Sequence, residues 1–448
     1  MSHAAARPAP DPALTRRARS LRGAELAMIV LAVVLAVTAY VLAGMGRDDH
    51  APPSVVAYGA LFAVGYVAAH VAVRRLAPAA DPVFLPTAGL LAGLGFAMIF
   101  RLDPDLATSQ AGWLALGLAA FLLTLLVVRD HRTLDQFTYT IGLIGIVLLL
   151  LPIVPGLGRT INGARLWIRI GPLTFQPAEA GKLFVVVFLA SYLNAKKELL
   201  AIATRRIGPF HLPEPKHLAP LLLAWGVSLA VLFLEKDLGS SLLFFGIFVV
   251  MLYVATARGA YLVFGVVLFV VGAYFGYLAF AHVQDRVFIW LHALDADLIS
   301  REGASQLAQS MFAMGTGGIS GVGLGQGSPG LIPFAPTDFI FAANGEELGL
   351  FGTVALLMLY LAMVSHGFKA AVEADDGFGK LLAVGLSTSL ALQTFVIVGG
   401  VTRLIPLTGI TLPFVSYGGS SLVANFAVIA LLVRTSAASR VREREGAR

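Results

Sequence analysis

Residues 113–128 read WLALGLAAFLLTLLVV, a run in which Thr124 is the one polar side chain. Residues 141–151, IGLIGIVLLLL, form a second run without any polar side chain. Apolar runs approaching 20 residues match the hydrocarbon core of a bilayer when they are helical. Because lipid offers no partners to backbone N–H and C=O groups, a helix is the simplest structure for such a run. These runs predict membrane helices.

The composition of the whole chain agrees with the two runs. Of its 448 residues, 58% are hydrophobic and only 13% are charged, whereas soluble domains carry roughly 25% charged residues. A soluble globular protein is therefore excluded. The chain has no cysteine, which excludes disulfides and thiolate metal sites.

The same criterion predicts an all-α integral membrane protein with about twelve transmembrane helices. A cytoplasmic tail (1–23) precedes two helices within 24–82, a polytopic core fills 83–434, and a second cytoplasmic tail follows at 435–448. The predicted spans lie near residues 24–44, 54–73, 83–100, 110–128, 137–155, 178–195, 218–234, 239–256, 260–282, 339–366, 380–400 and 410–434.

The distribution of positive charge predicts the orientation. With the N-terminus inside, about two-thirds of the 32 Lys and Arg residues fall on the cytoplasmic side, as the positive-inside rule requires. Both termini are then cytoplasmic, and the long loops 156–177 and 283–338 are extracytoplasmic. The net charge of +6 thus reflects topology and attraction to anionic lipid. We expect no nucleic-acid partner.

The second long outer loop contains the first group of residues that could carry chemistry. Asp295 and Asp297 are carboxylates at a membrane surface, where they could act as a general base or as metal ligands. The alternative is that they are solvated loop charges. The glycines of 315–330 form no nucleotide-binding loop, because the chain contains no GxxxxGK[ST] pattern. We expect these glycines to allow turns and close packing.

Lys182 and Glu179 form the second group, at the start of the sixth predicted span. Their spacing of three residues puts them on one face of a helix. An ionisable residue inside the membrane is costly and is a functional hypothesis by default. Lys182 either binds an anion near the outer leaflet or forms a structural ion pair with Glu179.

The third group interrupts the last predicted span. Arg403 precedes residues 406–421, where prolines, glycines and hydroxyl residues including Ser416, Tyr417 and Ser420 occur together. Irregular backbone at membrane depth is tolerated only where protein or a wet cavity covers it. A cavity lined by hydroxyls and capped by Arg403 would suit a phosphate-bearing ligand. A kinked helix packed through small residues would also account for the pattern.

Five motifs, in this order, resemble those of the SEDS family of cell-wall glycosyltransferases, the RodA, FtsW and SpoVE group. The resemblance extends from about residue 85 to the C-terminus, and the first two spans are an addition to the family's usual ten. The motifs are GARLWI (163–168) with FQPAEAGK (175–182), KDLGS (236–240), QS (309–310) with GTGG (315–318), TDFIFA (337–342) with GEELG (345–349), and LPFVSYGGSS (412–421).

The resemblance implies a peptidoglycan glycosyltransferase that polymerises lipid II in the bacterial plasma membrane, with its active site on the extracytoplasmic face. The 4-hydroxyl of one GlcNAc would attack the anomeric carbon of another MurNAc, with inversion and release of undecaprenyl diphosphate. Such a displacement needs a base for the hydroxyl and charge stabilisation for the diphosphate. No organic cofactor is expected, and the need for a divalent cation stays open.

The family's base is an Asp before the QS motif, usually in a DPxGxGYQ context. This sequence departs from that context, because it has no Asp-Pro and a slightly longer spacer. We expect Asp297 to be the base, with Asp295 as the second candidate. The expected substrate-binding residues are Lys182, Arg403, Glu179, Arg165, Gln309, Ser310, Asp338, Ser416, Tyr417 and Ser420.

The short C-terminal tail and the GARLWIRIGP form of the first motif resemble the RodA branch, and the motif beginning EKDLG resembles actinobacterial members. The implied partners are a class B penicillin-binding protein and other elongation or division proteins. Two alternatives stay open at this point. The chain could be a lipid II flippase, or a non-catalytic scaffold for the penicillin-binding protein.

Overall fold

Long α-helices form most of the chain in the computed structural model. The structure describes residues 12–161, 164–171, 173–201, 205–207, 210–212, 222, 226–227, 230, 235, 237–295, 297–298 and 302–442. In chain order the helices are α1 (Pro12–Asp48), α2 (Val55–Leu76), α3 (Phe84–Leu102), α4 (Pro104–Val127), α5 (Thr138–Leu150), α6 (Pro177–Ala201), α7 (Leu238–Thr256), α8 (Gly259–Ala279), α9 (Ala281–His292), α10 (Glu302–Gly317), α11 (Ile340–Val372), α12 (Gly377–Val401) and α13 (Gly419–Arg442). Short 3-10 helices lie at His131–Phe137, Leu151–Ile153 and Pro329–Leu331.

Within the described ranges, 10 helices are long and apolar enough to cross a membrane, so the chain is a multi-pass membrane protein. The sixth predicted span lies in α6, a 25-residue helix that is not among them. The seventh, 218–234, lies mostly outside the described residues. The count of twelve therefore stays a prediction. The ten are Ser20–Asp48, Val55–Leu76, Phe84–Leu102, Pro104–Val127, His131–Ile153, Leu238–Thr256, Gly259–Ala279, Ile340–Val372, Gly377–Val401 and Gly419–Ser439.

Two small antiparallel sheets add to the helical fold and were not predicted. Between α5 and α6, in the first of the loops predicted to lie outside, β1 (Gly158–Ile161), β2 (Ala164–Ile170) and β3 (Leu173–Phe175) pair in that order. Between α6 and α7, β4 (Arg205–Ile207) pairs with β5 (Phe210–Leu212). Loop segments rich in β-branched and aromatic residues form strands readily, and these lie between predicted spans. The all-α prediction holds for the spans and is wrong for these loops.

The helices differ in how deeply they lie in the bundle. Helices α3, α12 and α13 are mostly buried, whereas α2 and α8 expose most of their surface, as lipid-facing helices do. Small residues allow close approach at the centre. Gly95 of α3 is an example, since a Cβ there would lie only 2.4 Å from the carbonyl oxygen of Val415. The centre of the bundle is therefore closely packed.

The first two helices pack against α3 and are joined to each other by buried charges. Arg22 and Glu25 form an ion pair, and the second carboxylate oxygen of Glu25 lies 2.6 Å from Nδ1 of His70 on α2. Toward the other end of α1, the Tyr40 ring packs on Phe100 of α3 with 4.6 Å between centroids. Helix α1 is thus attached near both of its ends.

A glycine-rich loop, residues 318–327, completes the backbone hydrogen bonding at a break in α11. The helix is interrupted at Gly349, where φ is +67°. The loop supplies hydrogen bonds on both sides of the break. Val322 N–H donates to the Glu346 carbonyl over 3.1 Å, and Leu350 N–H donates to the Gly318 carbonyl over 2.9 Å. The glycines therefore serve turning and close packing, as the sequence led us to expect.

A polar junction joins the start of α12 to the loop after α4. Asp376 accepts the N–H of Gly379 over 2.7 Å, and its other carboxylate oxygen lies 3.0 Å from His131 Nε2 and 3.1 Å from Arg132 Nη2. Burial raises the pKa of Asp376, but the hydrogen bonds from His131, Gly379 and Arg132 outweigh it and hold the pKa well below its ordinary value.

The predicted orientation can be tested by labelling single cysteines, because the natural chain has none. Ser328 and Asp375 are both exposed, in loops predicted to lie outside and inside respectively. In intact cells, a membrane-impermeant maleimide should label Ser328→Cys and should reach Asp375→Cys only after permeabilisation. The unsubstituted chain is the blank. The reverse labelling pattern would invert the topology.

Candidate functional site

Several helix ends meet around residues 402–418, the non-helical segment between α12 and α13, which we call the interrupted segment. Gly239 at the start of α7 packs on it, since a Cβ there would lie 2.3 Å from Ile410 Cγ2. Arg286 of α9 donates to the Leu407 carbonyl over 2.5 Å. The segment therefore collects polar groups from elements far apart in sequence.

The last predicted span, 410–434, is wrong in its start, because α13 begins at Gly419. Pro413 has no N–H to donate, and the side chain of Ser416 bonds the local backbone instead. Its hydroxyl accepts the N–H of Leu412 over 2.9 Å and donates to the Thr337 carbonyl over 2.6 Å. Ser416 thus joins the interrupted segment to the residue before Asp338.

Tyr417 and Ser420 also form hydrogen bonds to other parts of the chain. The Tyr417 N–H donates to the Pro336 carbonyl over 2.8 Å. The Ser420 hydroxyl accepts the Gln176 N–H over 2.8 Å, just before α6 begins. The site is therefore held in place by hydrogen bonds within the chain, which Ser416, Tyr417 and Ser420 provide.

Lys182 lies at the end of a short buried chain of polar groups. Its Nζ donates to Glu179 Oε2 over 3.0 Å and to Gln393 Oε1 over 2.6 Å. The amide nitrogen of Gln393 in turn donates to the Thr411 carbonyl over 2.8 Å. Lys182 and Glu179 are both buried. The ion pair therefore forms, and it is connected to the interrupted segment.

Arg286 and Asp338 both lie against Gly409 of the interrupted segment. Gly409 has φ of +75°, and a Cβ there would lie 3.5 Å from an Arg286 guanidinium nitrogen and 3.6 Å from Asp338 Oδ2. Glycine suits this position because it adopts positive φ without steric cost. Asp237 belongs to the same charge cluster, because it interacts electrostatically with Arg286, and its carboxylate accepts the Ser240 hydroxyl over 2.6 Å. The cluster therefore contains both signs of charge.

Burial alters the acidity of these carboxyl groups. It raises the pKa of Asp338 to about 6, although the Arg286 guanidinium opposes the shift. Burial also raises the pKa of Glu235 to about 8, and the neighbouring Asp237 adds to this effect. Neither carboxyl oxygen of Glu235 has a hydrogen-bond partner in the described part of the chain. Carboxyls with raised pKa values in a polar cluster indicate a functional site.

Arg403, which the sequence placed at a ligand cavity, forms its hydrogen bonds at the end of α9. Its Nε donates to the Trp290 carbonyl over 2.8 Å, and its Nη2 donates to the Leu291 carbonyl over 2.6 Å. The Trp290 indole N–H returns a bond to the Arg403 carbonyl over 3.0 Å. Arg403 therefore satisfies carbonyls at the end of α9, and Arg286 is the arginine at the cluster.

Three other expected ligands lie away from the cluster. Arg165 is in β2 and donates to the Val154 carbonyl over 3.1 Å. Ser310 is buried, and its hydroxyl donates to the Leu307 carbonyl over 2.8 Å. Gln309 is half-buried on α10. Across the described ranges, no hydrogen bond joins any of the three to the charge cluster.

Asp295 and Asp297 lie in the turn between α9 and α10, and both are exposed. Asp295 Oδ2 is 2.9 Å from His292 Nδ1. The described residues offer no partner to Asp297. Exposed carboxylates can accept a proton from a sugar hydroxyl, but this geometry does not rank one above the other. Among the residues that the structure describes, no three His, Asp or Glu side chains are grouped to hold a metal.

The sequence did not single out Gln393 or Arg286, which bond to the interrupted segment, and it also did not single out the cluster carboxyls Asp237 and Glu235. Gln393 is an amide inside a predicted span, next to Thr394 and one turn after Ser387, Thr388 and Ser389, and this was an available signal because polar groups in a membrane helix need partners. Arg286 stands at the edge of the loop predicted for residues 283–338, among ordinary loop charges. Only the fold brings it to Gly409, so no local pattern could have distinguished it.

Comparisons with known proteins show what this chain resembles. The family described as the cell cycle protein FtsW/RodA/SpoVE matches residues 88–441. The peptidoglycan glycosyltransferase RodA of Mycobacterium tuberculosis H37Rv is 44% identical, over 94% of this chain and 91% of its own length.

Solved structures agree. A chain from a peptidoglycan synthase complex that coordinates polymerization and crosslinking matches with a TM-score of 0.66 and 28% identity, over 80% of this chain and 98% of that one. The crystal structure of the Thermus thermophilus rod shape determining protein RodA matches with a TM-score of 0.54 and 28% identity, over 80% of this chain and 96% of that one. The fold and the sequence therefore point to the same family.

The buried pair of Lys182 and Glu179 predicts a coupled effect on stability. Lys182→Met should lower the free energy of unfolding by roughly 3–5 kcal/mol, because it leaves a buried carboxylate unpaired. Adding Glu179→Gln should recover a large part of that loss. Denaturant unfolding of the purified protein would measure both. Equal stability of the single and double variants would show that the two side chains are not coupled.

Proposed function

The chain belongs to the FtsW/RodA/SpoVE family, and on that premise we propose that it extends glycan strands from lipid II at the outer face of the plasma membrane. It is a peptidoglycan glycosyltransferase, the activity carried by its 44%-identical relative. One observation carries the substrate proposal. The half-buried Arg286 bonds to the interrupted segment directly, and the buried cation Lys182 is connected to it through Gln393, at the helix ends where we propose that a lipid diphosphate lies.

Arg286 and Lys182 are the proposed diphosphate ligands. The guanidinium has five N–H donors in a fork that matches phosphate oxygens, and its one described hydrogen bond goes to the Leu407 carbonyl. The ammonium of Lys182 has three donors, of which Glu179 and Gln393 take two. Asp338 holds a compensating charge beside Arg286 and keeps the site near neutrality before the substrate arrives.

The proposed reaction is one inverting displacement. The 4-hydroxyl oxygen of the acceptor GlcNAc forms a bond to the anomeric carbon of the donor MurNAc. The bond from that carbon to the diphosphate oxygen breaks, and undecaprenyl diphosphate leaves with the electron pair. The hydroxyl proton passes to a carboxylate, for which we propose Asp297, with Asp295 as the second candidate. The cations stabilise the negative charge that develops on the leaving group.

The proposed partner is a class B penicillin-binding protein. A structure similar to this chain comes from a complex that coordinates polymerization and crosslinking, and glycan strands need a transpeptidase to become crosslinked. A lipid II flippase or a non-catalytic scaffold would need no proton acceptor in the outer loop. The activities of Asp297→Asn and Asp295→Asn therefore separate a polymerase from these two alternatives.

The cluster predicts a pH dependence through Asp338. Its pKa of about 6 means that the carboxyl is ionised above that pH and neutral below it. Turnover of lipid II should fall as the pH drops through about 6, because Arg286 then loses its counter-charge. Asp338→Asn should be slower throughout and should lose that inflection. Asp376→Asn is the matched control, because the pKa of Asp376 is lowered, and it should keep the inflection.

Glycan synthesis from purified lipid II, resolved on a gel, tests the function directly. Asp297→Asn keeps the size of the side chain but removes the proton acceptor, so synthesis should fall by roughly 10²–10⁴-fold. Folding should survive, because the residue is exposed. Loss of activity in Asp295→Asn alone would transfer the role to Asp295. Full activity in both variants would reject the outer-loop base and favour the flippase.

A further inference from the structure

Helices α1 and α2 precede the family match, which begins at residue 88. Their lipid-facing surfaces explain how they sit in a membrane, but not what they contribute to glycosyl transfer. The end of α1 nearest the outer face makes a contact that addresses this question, because it touches the glycine-rich loop.

The contact joins two backbones. A Cβ built on Gly46 of α1 would lie 2.4 Å from Gly325 Cα and 2.5 Å from its carbonyl carbon and oxygen. A Cβ on Gly325 would lie 2.6 Å from Gly46 Cα. Side-chain carbons do not approach other atoms so closely. Even a methyl group at position 46 must therefore displace the loop or the helix.

Gly325 is the point at which three helices hold the loop. Its N–H donates to Glu347 Oε2 of α11 over 2.9 Å. Arg101 of α3 donates through Nη2 to the carbonyls of Gly325 and Gly327, over 3.1 and 2.8 Å. The Arg101 Nε also lies 3.2 Å from the second oxygen of Glu347. A shift of Gly325 would disturb all these contacts.

The loop in turn fixes the first part of α11. Its N–H and C=O groups bond on both sides of the Gly349 break, and Gly317 packs on the Gly345 carbonyl so closely that a Cβ would lie 2.0 Å from it. Residues 340–348 between the break and Asp338 are therefore held by the loop. Asp338 lies two residues before Ile340, the first residue of this short helical part, so a shift of that part would move Asp338.

We propose that Gly46 is a positioning residue for glycosyl transfer: the end of α1 presses the glycine-rich loop against α11 and so sets where Asp338 and Arg286 meet. The proposal rests on the proposed function. It makes the two N-terminal helices part of the support of the active site, and it assigns them more than membrane attachment.

Gly46→Ala tests the contact, with Gly23→Ala as the matched control. Both glycines are in α1, where alanine is the better helix former, and a Cβ at Gly23 would meet no atom within 4 Å. In Gly46→Ala, kcat with lipid II should fall roughly tenfold while KM stays nearly constant, because displaced catalytic groups lose transition-state interactions. Gly23→Ala should match the natural chain.

A labelling measurement separates positioning from general loss of structure. Leu324, in the loop, is half-buried and packed on the core, so Leu324→Cys should react slowly with a maleimide. Combined with Gly46→Ala it should react several times faster, and combined with Gly23→Ala at the original rate. Faster labelling with unchanged kcat would overturn the positioning role, and unchanged labelling would overturn the contact.

Arg47→Gln provides a milder variant should Gly46→Ala fold poorly. Arg47 donates to the Phe100 carbonyl over 3.2 Å, next to Arg101. In Arg47→Gln we expect a smaller fall in kcat and a smaller increase in the labelling rate of Leu324→Cys. An unaltered kcat together with faster labelling again counts against the proposal. If the natural chain made no glycan, the proposed function would fail, while the labelling comparison would still decide the contact.

Discussion

Every backbone polar group at membrane depth needs a partner within the protein, because an unbonded group costs several kcal/mol in hydrocarbon. Two breaks in the helices show how the chain meets this constraint. At Gly349 the glycine-rich loop provides the missing bonds. In the interrupted segment, Ser416 bonds the backbone of Leu412 and Thr337. The breaks are therefore stable, and they bring backbone and side-chain polarity to places that a continuous helix would keep apolar.

The charge cluster depends on the second break. Gln393 holds the Thr411 carbonyl, Arg286 holds the Leu407 carbonyl, and Gly409 leaves room for Asp338. A continuous helix would have used these carbonyls internally. Each charge in the cluster also has a neighbour of opposite sign, which offsets part of the cost of burial. In the proposed function, a diphosphate that enters this site takes the place of the carboxylates beside Arg286 and Lys182. The charges of these two cations are already partly compensated before the diphosphate binds.

The sequence predicted most of the membrane architecture because long apolar runs have one stable structure in lipid. It also singled out Lys182, Glu179 and Asp338 as candidate site residues, since charge inside or beside a span requires an explanation, and their roles in binding stay predictions. It misplaced the start of α13 and did not indicate the hydrogen bonds of Arg403 to the end of α9, because both follow from which carbonyls lack partners in the folded chain. Arg286 could not be found for the same reason, as nothing near it in sequence indicates Gly409. The choice between Asp295 and Asp297 likewise depends on where a bound sugar would lie.

The contact between Gly46 and Gly325 has a consequence for the comparison of sequences. Pairs of side chains in contact can change together, because a larger residue on one side is offset by a smaller one on the other. Two touching backbones offer no such exchange, since neither glycine can become smaller. Covariation between aligned sequences, which detects compensating changes, will therefore be blind to this junction, and physical probes of the protein are needed to see it.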